Sequence, residues 1–509
     1  MRHAPASLTA PGALLVTIAL LLSPTPARGQ YAPAGPPPPT QEAPPEGAGQ
    51  PIGPAQPLTP TPEPQAPAPR TQTLDPFAGS PLLQMFERQP DASAAPLQLR
   101  LAPLPEEPRA FAVRLSFTAE EEFTDNANQT KNDRQSEFRT RITPGLSVRA
   151  DRPWVNLSLA YAPQVFIPDN SINATELNQN LSFRAGLWPG GRFQFNVADD
   201  FVDSNNWQDI QDPGARRTGT SNYLQNTVTA EAAYVLPSLR TALAYTNILN
   251  QEDIGVANPT TETTMTHVVR PNIAYTDQRF SAGAAYTLTR GNENGSISIP
   301  YWNNKVDGRF GYGFAPTITP GLAGSYEYQE PDIGRYFSIG RGRVTTTLAI
   351  GSDGNLDLGV GADVFALQGD STEVRPSFLF AYTQRFRAFA VTARYEQGYV
   401  NRFSDLDNSG ITFTRSGAIL LTSSVLRDLT ATLGVRYEEN ENQTTTLLGG
   451  RAGATDRTWT VNADLRYLLV RSLFLSLGYV GTFRTSTEEL SEFNENIIRA
   501  GVTYQYDLF

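Results

Sequence analysis

Hydrophobic and polar residues alternate along most of the chain from Phe111 to the C-terminus. The stretch from Phe280 to Leu288 is one example. The last stretch is another, with apolar residues at every second position: Ile498, Ala500, Val502, Tyr504, Tyr506 and Leu508. A period of two predicts β-strands with one polar and one apolar face. Because no segment of ten or more residues shows a helical period, the pattern predicts an all-β fold.

The connections between the predicted strands alternate in length. Tight turns, such as those near Pro189–Gly191 and Thr276–Gln278, alternate with longer polar stretches, such as Ser204–Ser221 and Asn440–Thr455. Outer-membrane barrels have short periplasmic turns and longer extracellular loops. The pattern therefore predicts a transmembrane, antiparallel, up-and-down β-barrel of about 20 strands, within a range of about 18–22.

Charged residues fall in the polar phase of the predicted strands, opposite the apolar phase. An arginine that faces lipid at mid-depth costs about 2–4 kcal/mol, so a bilayer enforces this sorting. A soluble sheet would also sort its charges, but it would need a second layer to cover the apolar face. We therefore predict that the following residues line the lumen: Arg139, Arg141, Arg184, Arg270, Arg309, Arg341, Arg343, Arg375, Arg394, Arg436, Arg466, Glu231, Glu327, Asp363 and Glu396.

The C-terminal strand resembles the signal that the barrel-insertion machinery reads, in which a polar residue, a glycine and two aromatic residues follow a fixed spacing. Arg499, Gly501, Tyr504 and Tyr506 match that order. The last strand of a barrel must also pair with the first, so that no edge is left. The insertion machinery is therefore an expected partner, and the alternative is an amphipathic strand of a soluble protein.

Two segments precede the predicted barrel, which spans residues 111–509. Residues 1–29 read as a secretory signal peptide, because a short apolar core is followed by small residues at Ala27 and Gly29; a membrane anchor would need a longer core. Residues 30–110 are rich in proline, which favours extended polyproline II and prevents a packed core. We expect a disordered periplasmic spacer here. Binding to a proline-recognising partner or to peptidoglycan is the alternative.

Two prolines are expected inside strands, in segments that resemble each other. Val269-Arg270-Pro271 recurs as Val374-Arg375-Pro376. A proline cannot donate to a strand ladder, so it is tolerated in a sheet at few positions. Pro271 and Pro376 are therefore predicted to mark β-bulges.

Catalysis and cofactor binding are not expected. The chain of 509 residues has no cysteine, which excludes thiolate metal centres. His267, the one histidine outside the signal segment, shares a phase with apolar residues, so a hydrolase site in the lumen would lack this base. The acidic stretch Asp199–Asp212 has oxygens for calcium but not the spacing of a dedicated loop. A solvated loop is expected there, with no metal and, at a net charge of −11, no nucleic-acid partner.

The predicted opening hairpin resembles the start of the beta-barrel porin type 2 family. It carries Asp125-Asn126, then Ser136-Glu137-Phe138, then Pro144-Gly145-Leu146. The resemblance implies a channel in the outer membrane of a Gram-negative bacterium, associated with exopolysaccharide export components. The expected function is passage of polysaccharide or another large polar solute. The alternative is a structural or surface-displayed barrel with a blocked lumen.

Overall fold

The computed structural model describes most of the predicted barrel. The described residues are 111–127, 129–132, 134–169, 175–204, 222–254, 260–294, 300–332, 335–370, 372–401, 411–426, 428–443, 453–487 and 492–508. The predicted signal peptide, the predicted Pro-rich segment and Phe509 lie outside these residues, as does the predicted acidic loop beyond Ser204. No helix among the described residues is long and apolar enough to cross a membrane.

Twenty-one β-strands make up the regular structure of the described residues. They are β1 Phe111–Thr124, β2 Glu137–Arg152, β3 Val155–Tyr161, β4 Gln164–Pro168, β5 Glu176–Leu187, β6 Phe193–Ser204, β7 Tyr223–Val235, β8 Leu239–Ile254, β9 Thr260–Thr276, β10 Phe280–Asn294, β11 Tyr301–Tyr312, β12 Ile318–Pro331, β13 Phe337–Ile350, β14 Gly354–Leu367, β15 Glu373–Arg385, β16 Phe389–Asn401, β17 Ile411–Leu426, β18 Leu429–Asn442, β19 Thr455–Val470, β20 Leu473–Ser486 and β21 Phe493–Asp507.

β3 and β4 are two halves of one barrel strand. Both pair with β2 and with β5, and the register is the same on each side of the break. In that register Pro163 falls opposite Pro144, and neither residue has a backbone N–H to donate. Counting the two halves together gives twenty strands, each antiparallel to its neighbours. The predicted all-β barrel of about 20 strands is confirmed.

The sheet closes on itself because β1 pairs with β21. The register runs from Arg114 with Asp507 to Thr124 with Ile497. Arg114 Nε donates to Asp507 Oδ1 at 2.6 Å. Closure satisfies the backbone groups of both terminal strands, which is a requirement for any structure that crosses a hydrocarbon layer.

The predicted insertion-signal residues lie on this closing strand. Arg499 faces inward and donates to Glu122 at 2.5 Å. Gly501 is also inward, and a Cβ atom there would lie 2.3 Å from Glu120 Cγ, so a larger residue does not fit. Tyr504 and Tyr506 face outward and are 48% and 52% exposed. Recognition of these residues by the insertion machinery stays a prediction.

The outer surface is an apolar band built from the alternate residues of every strand. Its most exposed members include Leu322 at 57%, Val344 at 62% and Leu477 at 51%. Exposed apolar patches of this extent mark a surface that meets lipid or another protein rather than water. A few charges share this outward phase near the long-loop end. Arg290, for example, lies over the ring of Trp302 and pairs with Asp332.

Connections of two to five residues join the strands at one end of the barrel, and connections of five to eighteen residues join them at the other. These are called the short-turn end and the long-loop end. The turn from β9 to β10 is held by Asp277, whose Oδ1 accepts the backbone N–H of Phe280 at 2.7 Å and of Arg279 at 2.8 Å. These hydrogen bonds lower the pKa of Asp277 below its ordinary value.

The closing strand gives a prediction about assembly. Tyr506→Asp places a charge on the lipid-facing side of β21, at a cost of up to about 1 kcal/mol near the interface, and should reduce the amount of folded barrel. Tyr506→Phe keeps the ring and should assemble normally. Folded barrel is measured as the band that shifts on an SDS gel when the sample is boiled. Equal amounts of that band for Tyr506→Asp and for the parent protein would contradict this role.

The β9–β10 turn gives a prediction about pH. Because the folded pKa of Asp277 is lowered, the carboxylate stabilises the fold at pH values above its ordinary pKa, and this contribution is lost as the pH falls through the lowered value. Asp277→Ala should therefore lower the unfolding temperature at pH 7 more than at pH 2. Asp277→Asn can still accept both N–H groups and should show a smaller, pH-independent change. A deficit for Asp277→Ala that does not vary with pH would contradict this account.

Candidate functional site

The lumen contains a cavity of about 1650 Å³ with a mixed polar and apolar lining. Ten of the fifteen residues predicted to line the lumen lie on this cavity. They are Arg184, Glu231, Arg270, Arg309, Glu327, Arg341, Arg343, Arg394, Glu396 and Arg436. The other five predicted residues, Arg139, Arg141, Asp363, Arg375 and Arg466, lie elsewhere on the barrel wall.

The cavity wall carries an excess of positive charge. Its lining residues include ten arginines and lysines but six aspartates and glutamates, whereas the whole chain has a net charge of −11. A concave surface with walls of low dielectric constant concentrates solutes of the opposite charge. The described lumen is therefore suited to anionic rather than cationic solutes.

Most of these arginines are paired with a carboxylate along the wall. Arg184 Nη2 lies 2.6 Å from Asp200 Oδ2, and Arg240 Nη2 lies 2.7 Å from Glu231 Oε1. Such pairs fix the direction of each guanidinium group and keep its remaining N–H donors available. They stiffen the wall and line it with hydrogen-bond donors at the same time.

The ladder between β15 and β16 ends early on the long-loop side. Its last pair is Phe378 with Gln397, although β15 extends to Glu373 and β16 to Asn401. The carbonyl of Pro376 accepts a hydrogen bond from Gln397 Nε2 at 3.0 Å, so its backbone is directed toward β16. A proline in that position has no N–H to offer. The two strands therefore separate at Pro376.

Side chains of the wall bind the backbone of β16 where β15 no longer pairs with it. Asp363 Oδ2 accepts the Tyr399 N–H at 3.0 Å, and Arg341 Nη2 donates to the Tyr399 carbonyl at 2.8 Å. Arg343 Nη2 donates to the Gln397 carbonyl at 3.1 Å. Arg341 and Asp363 are also paired with each other at 2.8 Å. Charged side chains thus take the place of β15 as hydrogen-bond partners of the β16 backbone.

The released end of β16 reaches far across the inside of the barrel. Asn401 Nδ2 donates to Glu327 at 2.6 Å and to Gln329 at 2.8 Å, and both acceptors belong to β12, four strands away. The ends of β16 and β17, residues 397–401 and 411–415, therefore lie inside the lumen. We call these residues the infolded hairpin.

An apolar cluster fixes the infolded hairpin against the wall. Tyr399, Ile411 and Phe413 pack with Phe337 and Phe365, which point inward from β13 and β14. The ring of Tyr399 lies 5.2 Å from that of Phe365 and 5.1 Å from that of Phe413. Tyr399 and Phe413 lie in the phase that faces lipid elsewhere on these strands, so folding inward removes them from the outer surface.

The opposite side of the infolded hairpin lines the cavity. Val400, Asn401 and Thr414 contribute to its wall. The hairpin consequently narrows the lumen on the long-loop side. Sequence reasoning did not find this element. The signal that could have indicated it was Pro376, which was predicted to mark a bulge. That prediction is wrong, because neither Pro376 nor Pro271 lies at a shift of register.

Most of the predicted lumen residues outside the cavity belong to charge clusters. Arg141 pairs with Glu120, and Glu122, which is fully buried, accepts from Arg139 at 2.6 Å and from Arg499 at 2.5 Å. This network covers the inner side of the closing strands. Two further arginines pack on aromatic rings: Arg375 lies 4.5 Å from the ring centre of Phe413 and binds Glu441, and Arg466 lies 3.8 Å from the ring centre of Phe474.

His267 lies in the outward phase of β9. Its Nδ1 atom is 2.9 Å from the Tyr245 hydroxyl and 3.2 Å from Asn247 Nδ2. The ring of Tyr245 is 41% exposed on the same outer surface. His267 thus contacts the ring of Tyr245 on the outside of the barrel.

A family model described as "Putative beta-barrel porin 2" matches residues 392–506, which extend from β16 into β21. The resemblance to this family is confirmed over that segment, while the opening hairpin lies outside the match. No curated protein sequence matches the chain.

Several solved structures resemble the chain at low sequence identity. The FrpB iron transporter from Neisseria meningitidis (F5-1 variant) gives a TM-score of 0.50 at 9% identity, covering 79% of this chain and 83% of that one. The siderophore receptor PirA from Pseudomonas aeruginosa gives 0.44 at 9%, covering 79% and 81%. The outer membrane protein opdK from Pseudomonas aeruginosa gives 0.36 at 12%, covering 78% and 98%. The likeness to FrpB concerns the fold alone.

The closed antiparallel barrel, its outward apolar band and the family match define the class of the protein. It is a porin-like β-barrel of the outer membrane.

The Arg341–Asp363 pair gives a prediction about the infolded hairpin. Removing one partner would leave a buried unpaired charge, so both are neutralised together in Arg341→Gln/Asp363→Asn. The variant loses charge-assisted bonds to Tyr399, which contribute about 1.5–3 kcal/mol each, and the hairpin should detach more often. Because the chain has no cysteine, a Thr412→Cys reporter, at a position that is 1% exposed, measures this by its rate of maleimide labelling.

The expected result is labelling at least about ten times faster than in the reporter background alone. The matched control is Arg184→Gln/Asp200→Asn, which removes an arginine–aspartate pair from a more exposed part of the wall that does not bind the hairpin. Equal labelling rates for the two double variants would show that the Arg341–Asp363 pair does not hold the hairpin.

Proposed function

We propose that the protein is an outer-membrane channel for anionic polysaccharide or other large polar solutes. The observation that carries this proposal is the cavity of about 1650 Å³, whose wall bears ten cationic and six acidic residues. Arginine side chains hydrogen-bond carboxylates with matching geometry, and a wall with many donors also suits sugar hydroxyls.

The size of the barrel supports passage of a large solute. Twenty strands spaced about 4.8 Å apart and tilted by about 40° enclose a backbone cylinder of about 40 Å in diameter. Barrels of 16–18 strands already leave an aqueous channel. The infolded hairpin occupies part of this space, so it would set the size limit for the solute.

The proposal extends to the setting of the channel. It includes removal of residues 1–29 as a signal peptide, a Gram-negative outer membrane, assembly by the barrel-insertion machinery and cooperation with polysaccharide export components. Passage rather than catalysis is the proposed activity, without a cofactor.

A structural barrel with a blocked lumen is the second candidate. The infolded hairpin favours it, because Tyr399, Ile411 and Phe413 fill part of the interior with an apolar cluster. In this case the paired arginines would stiffen the barrel, and no solute would pass.

Ion conductance distinguishes the two candidates. Purified protein in planar bilayers should show stepwise conductance with a preference for anions. The double variant Arg184→Gln/Arg436→Gln removes two positive charges from the cavity wall. At roughly 15 Å in water the two charges contribute about 0.5 kcal/mol, so the anion preference should fall by a factor of about two to three.

The matched control is Arg290→Gln/Arg335→Gln, which removes two positive charges that do not line the cavity and that are paired with Asp332 and Asp370. Its anion preference should equal that of the parent protein. Absence of conductance steps in every variant would contradict the channel and leave the structural candidate.

A further inference from the structure

Arg270 on β9 differs from the paired arginines of the cavity wall. It lines the cavity, yet within the described part of the chain no carboxylate lies in ion-pair distance of it, and its buried Nε atom has no hydrogen-bond partner. Buried polar groups in native proteins are nearly always paired with protein, ion, water or ligand. An arginine left unpaired on a cavity wall is therefore a candidate ligand-binding group.

The neighbours of Arg270 leave space around its guanidinium group. Ala244 is opposite it on β8, and Thr287 faces it on β10; both residues also line the cavity. The β9–β10 ladder keeps the same register along its whole length. The pairs that Arg270 and Pro271 would form are absent from it. Pro271 has no N–H for the ladder. Arg270 thus lies at a local gap in the sheet, flanked by small side chains.

Groups that suit a sugar surround this position. The Asn272 amide, two residues along the same face of β9, has a side-chain oxygen without a hydrogen-bond partner. Thr246 and Thr229 line the cavity nearby and bond each other through their hydroxyls at 3.0 Å. A guanidinium group recognises a carboxylate through two parallel hydrogen bonds, while amide oxygens accept from hydroxyl groups.

We propose that Arg270 is a solute-binding residue of the lumen, which takes the carboxylate of an acidic saccharide while Asn272 accepts a hydrogen bond from a neighbouring hydroxyl group. This inference rests on the proposed function and adds to it the solute class, a uronate-containing saccharide, and the position of its binding site.

Isothermal titration of the full, detergent-solubilised protein tests the site independently of conductance. The probes are oligogalacturonate, maltohexaose as the uncharged saccharide, and inorganic phosphate as the simple anion. Oligogalacturonate should bind the parent protein more tightly than either of the others. Equal binding of phosphate would mean that the site recognises an anion without a saccharide, and would overturn the assigned class.

Arg270→Gln should weaken oligogalacturonate binding by at least about tenfold, because it removes a charge-assisted bidentate contact. Arg270→Lys keeps the charge without the planar fork and should bind with intermediate affinity. Arg184→Gln is the matched control, since it removes one positive charge from the same cavity at a residue that is paired with Asp200. Its affinity should stay within about threefold of the parent value. The heat-dependent gel shift verifies that each variant is folded.

Equal losses in Arg270→Gln and Arg184→Gln would show a general field effect and overturn the site, as would a parent protein that does not bind oligogalacturonate. Failure of the proposed function gives a different result. Saccharide binding that depends on Arg270, in a protein without conductance steps, would retain the site and contradict the channel.

Discussion

The structure depends on one constraint, which is that every backbone N–H and C=O inside a hydrocarbon layer must find a partner within the protein. The closed ladder from β1 through β21 meets this requirement for strand after strand. Closure in turn brings Glu122, Arg139 and Arg499 together on the inner side of the closing strands. The same constraint directs the apolar phase outward, because the backbone is already satisfied and the side chains alone decide which face meets lipid.

The backbone ladder of the barrel is interrupted at two places, and the second interruption accounts for the narrowed lumen. Pro163 lies opposite Pro144, and the barrel strand formed by β3 and β4 is interrupted there without loss of register. At Pro376 the backbone ladder between β15 and β16 has ended, and the free edge of β16 turns inward, where Arg341, Asp363 and Arg343 replace the missing backbone partners. A missing N–H on one residue thus leads to a hairpin that narrows the lumen.

Charge inside the barrel has two roles that differ by environment. On the closing strands the arginines and glutamates are buried in mutual contact, an arrangement in which loss of one partner is costly. Along the cavity, pairs such as Arg184 with Asp200 remain partly exposed, and Arg270 has no carboxylate partner among the described residues. The first group stabilises closure, while the second presents hydrogen-bond donors to the lumen. An excess of arginine on that wall is compatible with a net negative chain because six of the 51 aspartates and glutamates of the chain are among the described residues that line it.

The sequence alone was enough to predict the barrel, its approximate strand number and whether residues such as Arg184 and Tyr506 face the lumen or the lipid. Strand alternation and the exclusion of charge from lipid are local rules, so each residue follows them by its position in the strand. It did not reveal which arginines are paired, since Arg343 meets Gln397, and Arg375 meets Glu441, across long sequence separations. Nor did it reveal the infolded hairpin. Tyr399 and Phe413 have the pattern of lipid-facing residues, and their burial against Phe365 is decided by the register of neighbouring strands at Pro376, which exists only once the sheet has formed.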